Sequence, residues 1–233
     1  MVKTVKSEKE KFSVVIRTRN EERWIGHAIQ SVLNNIKKPE IIIVDNNSND
    51  QTLDIVRMFM QDPLLDNNQN NLNYTNIKVF KIDYYTPGKA LNFGISKCKN
   101  QNIILMSAHC VLKKIDLLKV KSELKKYSAV FGNQIPIYMG KKITKRYLWS
   151  HFSNKPVINM FSKLENRYFL HNAFSIYQKK ILKKFPFDEN LAGKEDRYWV
   201  NKIIKKGYKF LYDPNIIVDH HYTENGNTWK GIG

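Results

Sequence analysis

The segment Pro39-Glu40-Ile41-Ile42-Ile43-Val44-Asp45 constrains the fold of this chain more than any other stretch. Four consecutive β-branched residues with no polar alternate suit a strand buried on both faces, the environment of a parallel sheet covered by helices. Phe12-Ser13-Val14-Val15-Ile16, upstream, is a second β-rich run. Between the two, residues 21–34 carry Trp24, Ile25, Ala28, Ile29, Val32 and Leu33 at helical spacing, with Asn20 as the expected N-cap. Strand, helix and strand in this order predict a right-handed βαβ unit.

The alternation continues. The polar loop 45–50 leads into a predicted helix over 51–61, and residues 62–76 are Asn-rich and read as a mobile surface loop. A third strand is expected over 77–82, a third helix over 90–97 and a fourth strand over 102–106. This pattern predicts an α/β fold: a mixed, mainly parallel, Rossmann-like sheet flanked by helices in a single domain, with the ligand beyond the carboxyl ends of the strands. Arg17-Thr18, Asp45 and Ser107 to His109 each follow a strand directly, so one crevice gathers them.

From about Leu112 the pattern changes to mixed segments containing Tyr138, Tyr147, Trp149, Phe152, Phe161, Tyr168, Phe169 and Phe174, with no second βαβ series and no internal repeat. This half is expected to complete the sheet and build an acceptor side. A helix over 195–206 ends at Gly207, and further strands are expected over 208–212 and 216–218.

The chain has 233 residues, 39 Lys plus Arg against 21 Asp plus Glu and a net charge of +18. That excess attracts phosphates, nucleic acid or an anionic membrane face, and equally fits a solvated lysine-rich surface. Cys98 and Cys110 form no CxxC, which points away from a disulfide framework or zinc knuckle and toward a reducing compartment. The first eleven residues are charged and unlike a signal peptide, and no apolar run reaches the 18 or so residues needed to span a bilayer. The expected location is cytoplasmic, with peripheral contact at the inner membrane face.

Five segments carry a more specific signal. "SVVIRTRNEERWIGHAIQSVL", "PEIIIVDNNSNDQT", "GKALNFGI", "NIILMSAHCVL" and "PFDENLAGKEDRYW", in this order, resemble the family 2 glycosyltransferases of GT-A fold. The resemblance runs from Phe12 to about Trp229. It implies a basic extension at 1–11, a nucleotide-binding half at 12–111 and an acceptor-binding half at 112–233. A strand ending in Arg17-Thr18-Arg19-Asn20-Glu21 offers amides and polar side chains to a nucleotide. By resemblance Thr18, Arg19 and Glu21 line the base and ribose pocket, Asp45 takes the base, and Lys89 reaches the diphosphate. Asp45 and Asn47 equally fit a turn capping the next helix, and Asn92 and Gly94 a helix-packing role.

Ser107-Ala108-His109 falls where the family has an Asp-x-Asp that holds Mn2+ or Mg2+. Replacing both carboxylates removes hard oxygen donors and favours Mn2+ over Mg2+, because a neutral imidazole still suits the softer ion. His109 then acts with a late histidine, for which His221 of "VDHHYT" is the choice, while Ser107 bonds ribose or phosphate. Metal-independent transfer, with Lys and Arg alone meeting the leaving group, stays open.

By resemblance Asp196 of "GKEDRYW" is the catalytic base and Glu195 orients the acceptor or diphosphate. The pair also suits a helix N-terminus electrostatically. Asn172 and Trp199 are the acceptor-side candidates, although Asn172 fits a core hydrogen bond nearly as well. The expected activity is inverting transfer of a sugar from a nucleotide-sugar donor to a glycan or lipid-linked acceptor, in surface polysaccharide or glycolipid synthesis. The rivals are a nucleotide-binding protein that has lost catalysis and a basic nucleic-acid-binding protein. Scattered basic residues argue against the latter, so no nucleic-acid partner is expected.

Overall fold

The computed structural model describes residues 11–61, 76–224, Gly226 and Trp229. The expected loop at 62–76, apart from Asn76, and all but the last residue of the basic extension lie outside these.

The N-terminal half alternates as the hydrophobic pattern requires. β1 (Phe12–Thr18), α1 (Ile25–Asn35), β2 (Glu40–Asp45), α2 (Thr52–Gln61), β3 (Asn76–Lys81), α3 (Pro87–Lys97) and β4 (Asn102–Ser107) follow one another. β1 pairs in parallel with β2 and β4, and β2 with β3. β2 is buried throughout. Ile42 and Val44 pack with Ala90, Leu91 and Ile95 of α3 on one face. On the other, Ile41 and Ile43 pack with Ala28, Ile29 and Val32 of α1 and Val56 of α2. α3 lies close to the sheet because Gly94 has no side chain: a Cβ there would stand 2.5 Å from Val15 Cγ1 and 2.9 Å from Val44 Cγ2.

α1 starts at Ile25, later than the periodicity suggests, and Asn20 does not cap it. Asn20 adopts a left-handed φ of 51°. The amides that a longer helix would leave open are met by the neighbouring loop: Asn20 N–H donates to Ser48 Oγ, Glu21 N–H to Thr52 Oγ1 and Glu22 N–H to Asp50. Asn20 Oδ1 accepts from Asn49 N–H in return. This exchange locks the two strand-end loops together. α3 starts earlier than expected because Thr86 caps it and Pro87 occupies its first turn.

The C-terminal half extends the same sheet. β5 (Cys110–Lys114), α4 (Leu117–Glu123), β6 (Ala129–Tyr138), β7 (Lys141–Lys142), a 3-10 turn (Tyr147–His151), β8 (Val157–Ile158), β9 (Phe161–Ser162), β10 (Arg167–Tyr168), β11 (Phe174–Gln178), α5 (Lys179–Lys184), α6 (Glu195–Ile204) and β12 (Phe210–His221) complete the order. The sheet runs β3-β2-β1-β4-β11-β6-β12-β5, and β9 and β10 form a separate hairpin. β11 is antiparallel to β4 and β6, which makes the sheet mixed. The two strands expected over 208–212 and 216–218 are one strand, β12, with an irregularity between Asp213 and Ile217. α6 ends at Ile204, and Gly207 (φ 79°) lies beyond it. Trp149, Phe152, Phe169 and Phe174 are buried, so these aromatics build the core rather than a binding wall. Among the described residues no helix is long and apolar enough to cross a membrane.

Candidate active site

Two adjoining hollows open at the carboxyl ends of β1, β2 and β4. The inner one, about 690 Å3, is lined by Arg17, Thr18, Glu21, Ser107, His109, Asn172, Glu195 and Asp196 among others. The outer one, about 730 Å3, is lined by Asn47, Asp83, Tyr84, Lys89 and Glu189 among others. Arg19, Asn46 and Tyr85 border both. The sequence-predicted residues therefore gather, with three exceptions.

Trp199 is the first. Only 2% exposed, it donates its indole N–H to Phe185 O and packs on Tyr177 and Phe187 in the core, away from either hollow. Asp45 is fully buried, and its carboxylate accepts from Ser48 N–H and Ser48 Oγ–H, holding the β2–α2 loop. That is the turn-forming role, one residue short of the wall that Asn46 provides. His221 stacks on Trp24 with ring centroids 4.0 Å apart. The histidine that approaches His109 is His220, with centroids 4.9 Å apart; it is fully buried and pairs through Nδ1 with Gln134 Oε1.

At the base of the inner hollow α6 begins with Glu195 and Asp196, both buried. Asp196 is held by three donors. Asn172 N–H (2.9 Å) and Arg197 Nη1 (2.8 Å) reach Oδ2, and Arg197 N–H (2.8 Å) reaches Oδ1. A carboxylate has about four acceptor sites, so one remains on Oδ1. Burial alone would push this carboxyl up, but Arg197 and these hydrogen bonds outweigh it and hold Asp196 below the ordinary carboxylate range. Burial and the Asp196 charge raise Glu195 instead, against Arg17 at 3.4 Å and Asn172 Nδ2. The two adjacent carboxyls are thus pulled apart in acidity. Asn172 is fixed in turn, its Oδ1 accepting from Ser175 Oγ–H and Tyr177 O–H.

Arg197, Glu165 and Tyr85 were not singled out from sequence. Arg197 lies 4.4 Å above the Phe169 ring and 3.6 Å from Glu165. Its place directly after "KED" was the available signal; Glu165 and Tyr85 sit in segments without a motif. Asn92 does not line a hollow. Its amide bridges Phe187 O, Phe187 N–H and Glu189 Oε1, fastening α3 to the loop before α6. Lys89 reaches the outer hollow beside Tyr84, 5.5 Å from its ring.

His109 Nδ1 lies 2.9 Å from Glu21 Oε1. A carboxylate behind one ring nitrogen holds the proton on Nδ1 and leaves the Nε2 lone pair free, the usual arrangement of a metal-ligating histidine. Among the described residues no group of three His, Cys, Asp or Glu side chains converges to hold an ion. His109 would therefore serve a metal as a single nitrogen ligand, not as part of a three-residue protein cluster among the described residues. Thr18 Oγ1 and Glu21 Oε2 are buried without hydrogen-bond partners among the described residues.

The family model for glycosyl transferase family 2 matches residues 13–185. The chain belongs to glycosyl transferase family 2. As a member it is a glycosyltransferase. It is 27% identical over 230 residues to the dolichyl N-acetyl-alpha-D-glucosaminyl phosphate 3-beta-D-2,3-diacetamido-2,3-dideoxy-beta-D-glucuronosyltransferase of Methanococcus voltae, covering 92% of this chain and 67% of the relative. In fold it is similar to TarS of S. aureus solved with UDP-GlcNAc (TM-score 0.68, 20% identity, 95% of this chain and 61% of that one). It is also similar to the mannosyltransferase PcManGT of Pyrobaculum calidifontis solved with GDP-Man and Mn2+ (TM-score 0.67, 16% identity, 94% and 59%). The chain thus has the GT-A fold, a mixed, mostly parallel sheet flanked by helices. The chain spans less than two thirds of both solved structures.

Proposed function

We propose that this family 2 enzyme transfers a sugar with inversion from a nucleoside-diphosphate sugar to a hydroxyl acceptor, with Asp196 as base. The observation that carries this is the setting of Asp196: its carboxylate is held by Asn172 N–H and by Arg197 at the floor of the hollow that also holds Ser107 and His109, with one acceptor site open on Oδ1. The acceptor hydroxyl donates its proton to Asp196 as its oxygen forms a bond to the anomeric carbon. The bond from that carbon to the diphosphate oxygen breaks, and its electron pair leaves with the diphosphate. One displacement inverts the centre.

Residues 12–111 hold the nucleotide in this proposal, and 112–233 the acceptor. The unpartnered Thr18 hydroxyl and Glu21 oxygen suit ribose or base hydrogens, since buried polar groups without partners are costly. Lys89 faces the diphosphate, Arg19 lines the base and ribose pocket and Arg17 contributes to the donor side, with Asn47 at the rim of the outer hollow. Glu195 orients the acceptor. A divalent ion on His109, Mn2+ rather than Mg2+ by its nitrogen donor, would neutralise charge on the leaving diphosphate. The Methanococcus relative, named for a dolichyl-phosphate-linked sugar, supports a lipid-linked acceptor at a membrane face.

Calorimetric titration with UDP, GDP, dTDP and CMP, with Mn2+ and again with EDTA, tests the donor site. One nucleotide is expected to bind selectively, and to lose affinity in His109→Ala. Asp196→Asn is expected to keep that binding and to lose on the order of 10²–10⁴ in kcat. Unchanged transfer by Asp196→Asn would remove the base from this scheme, and binding of no nucleotide would favour a non-catalytic role.

A further inference from the structure

α6 turns both its acids, Glu195 and Asp196, inward to the cleft, with Arg197 beside them, and its lysine outward. Lys194, Tyr198, Lys202 and, just beyond the helix, Lys205 are exposed at three- and four-residue spacing, so they form one outer stripe. Between residues 190 and 212 there is no other acidic residue, so nothing on this stretch neutralises the stripe.

The β9–β10 hairpin continues this surface. Arg167 lies 5.6 Å over the ring of Tyr198 and joins the two elements. Phe161 and Leu164 are 49% and 68% exposed, and Tyr198 is 51% exposed. Lys163 stands exposed between the first two. The hairpin's single acid, Glu165, lies between Arg197 at 3.6 Å and Arg167 at 3.8 Å, and pairs with these two rather than with the lysines. Two elements distant in sequence thus both hide their carboxylates and present cations around exposed apolar side chains.

We propose that the β9–β10 tip and the outer face of α6 form a docking surface for an anionic lipid bilayer. Phenylalanine and leucine enter the boundary between headgroups and acyl chains, tyrosine sits at headgroup depth, and lysines meet the lipid phosphates. Leu164 at the tip favours lipid over nucleic acid, because an aliphatic side chain offers no stacking face to a base. The placement has a consequence for the cleft. Glu165 contacts Arg197 and Arg197 holds Asp196, so the docked hairpin sets the base beside the membrane. This inference rests on the proposed acceptor class in its purpose, but not in its test.

The test is co-sedimentation of the chain with vesicles of phosphatidylcholine plus phosphatidylglycerol, against phosphatidylcholine alone. Binding is expected to need phosphatidylglycerol and to weaken with salt. Lys202→Glu with Lys205→Glu is expected to weaken it about 10-fold or more. Phe161→Ser with Leu164→Ser is expected to weaken it about 10-fold with the salt dependence kept. Nucleotide titration of the same variants should match the unaltered chain, which shows the cleft intact. Equal binding to both vesicle types, or wild-type affinity in both double variants, would overturn the proposal. So would displacement by RNA of a chain that shows no preference between the vesicles. Vesicle binding without any nucleotide binding would leave the docking surface standing and overturn the transfer scheme instead.

Discussion

Arg197 supplies two of the three donors on Asp196, one from its main chain and one from its guanidinium, and so sets the acidity of the proposed base. The carboxyl lies below its ordinary range with that charge beside it, against a burial effect that works in the opposite direction. Replacing the guanidinium removes the opposing charge and leaves the burial. Arg197→Gln is therefore expected to move the acidic limb of the kcat/KM profile to higher pH, because Asp196 stays protonated further up the scale. Arg197→Lys keeps the charge and should move the limb less. A purely structural role for Arg197 predicts a loss at all pH values with the limb in place, so the profile separates the two. His109 follows similar logic at lower stakes: Glu21 fixes its ring, so Glu21→Gln should weaken nucleotide diphosphate binding in the direction of His109→Ala.

At the scale of elements, α3 shows how closely packing fixes the site. Lys89 reaches the outer hollow only because α3 sits against β1 and β2, which Gly94 permits. Gly94→Ala places a methyl within 2.5 Å of Val15 Cγ1, and valine side chains in a packed sheet have little room to yield. A loss of about 1–3 kcal/mol is expected, read as a lower urea midpoint at unchanged m-value. An unchanged midpoint would mean that α3 can shift outward at no cost. β1, β2 and β4 were legible as apolar-rich runs, and β3, with its two lysines, by its place in the strand–helix alternation. β6 was not: "AVFGNQIPIY" mixes Gly, Asn, Gln and Pro into a strand, and its polar Gln134 is buried to hold His220. β12 was read as two strands because Asp213-Pro214-Asn215 interrupts it with an irregular register. The same irregularity explains the histidines. Which of His220 and His221 points inward depends on strand register, and a shift of one residue exchanges the faces. Trp199 follows from a similar limit: its position beside "KEDRY" says nothing about which side of α6 it occupies, and it occupies the core side.

At the scale of the whole molecule, the aromatic core beneath the cleft contains imidazoles kept neutral by their surroundings. Burial pushes His171 down to about 3, with Arg197 adding to the effect, and pushes His220 well below its usual range. His221 is lowered to about 4 by burial and then by His27, and it is partly exposed, so solvent screens its share. For each of these groups the folded form binds a proton less readily than the unfolded chain, where a histidine titrates near 6.5. Their neutrality therefore costs nothing above about pH 6.5, and stability is lost as pH falls from there toward the folded values. His171 and His220 each contribute a slope of up to about 1.4 kcal/mol per pH unit across that window. The lowered carboxyls Glu40, Asp196 and Asp213 act in the same direction only further down, below about pH 4, where the unfolded carboxyls take up protons. Urea unfolding at a series of pH values from 7.5 to 4.5 should thus show a midpoint that is level near neutrality and falls steadily below about 6.5. A midpoint that stays level down to pH 5 would mean that the imidazoles take up protons without unfolding the chain, with water or a counter-charge reaching the aromatic core beneath Asp196.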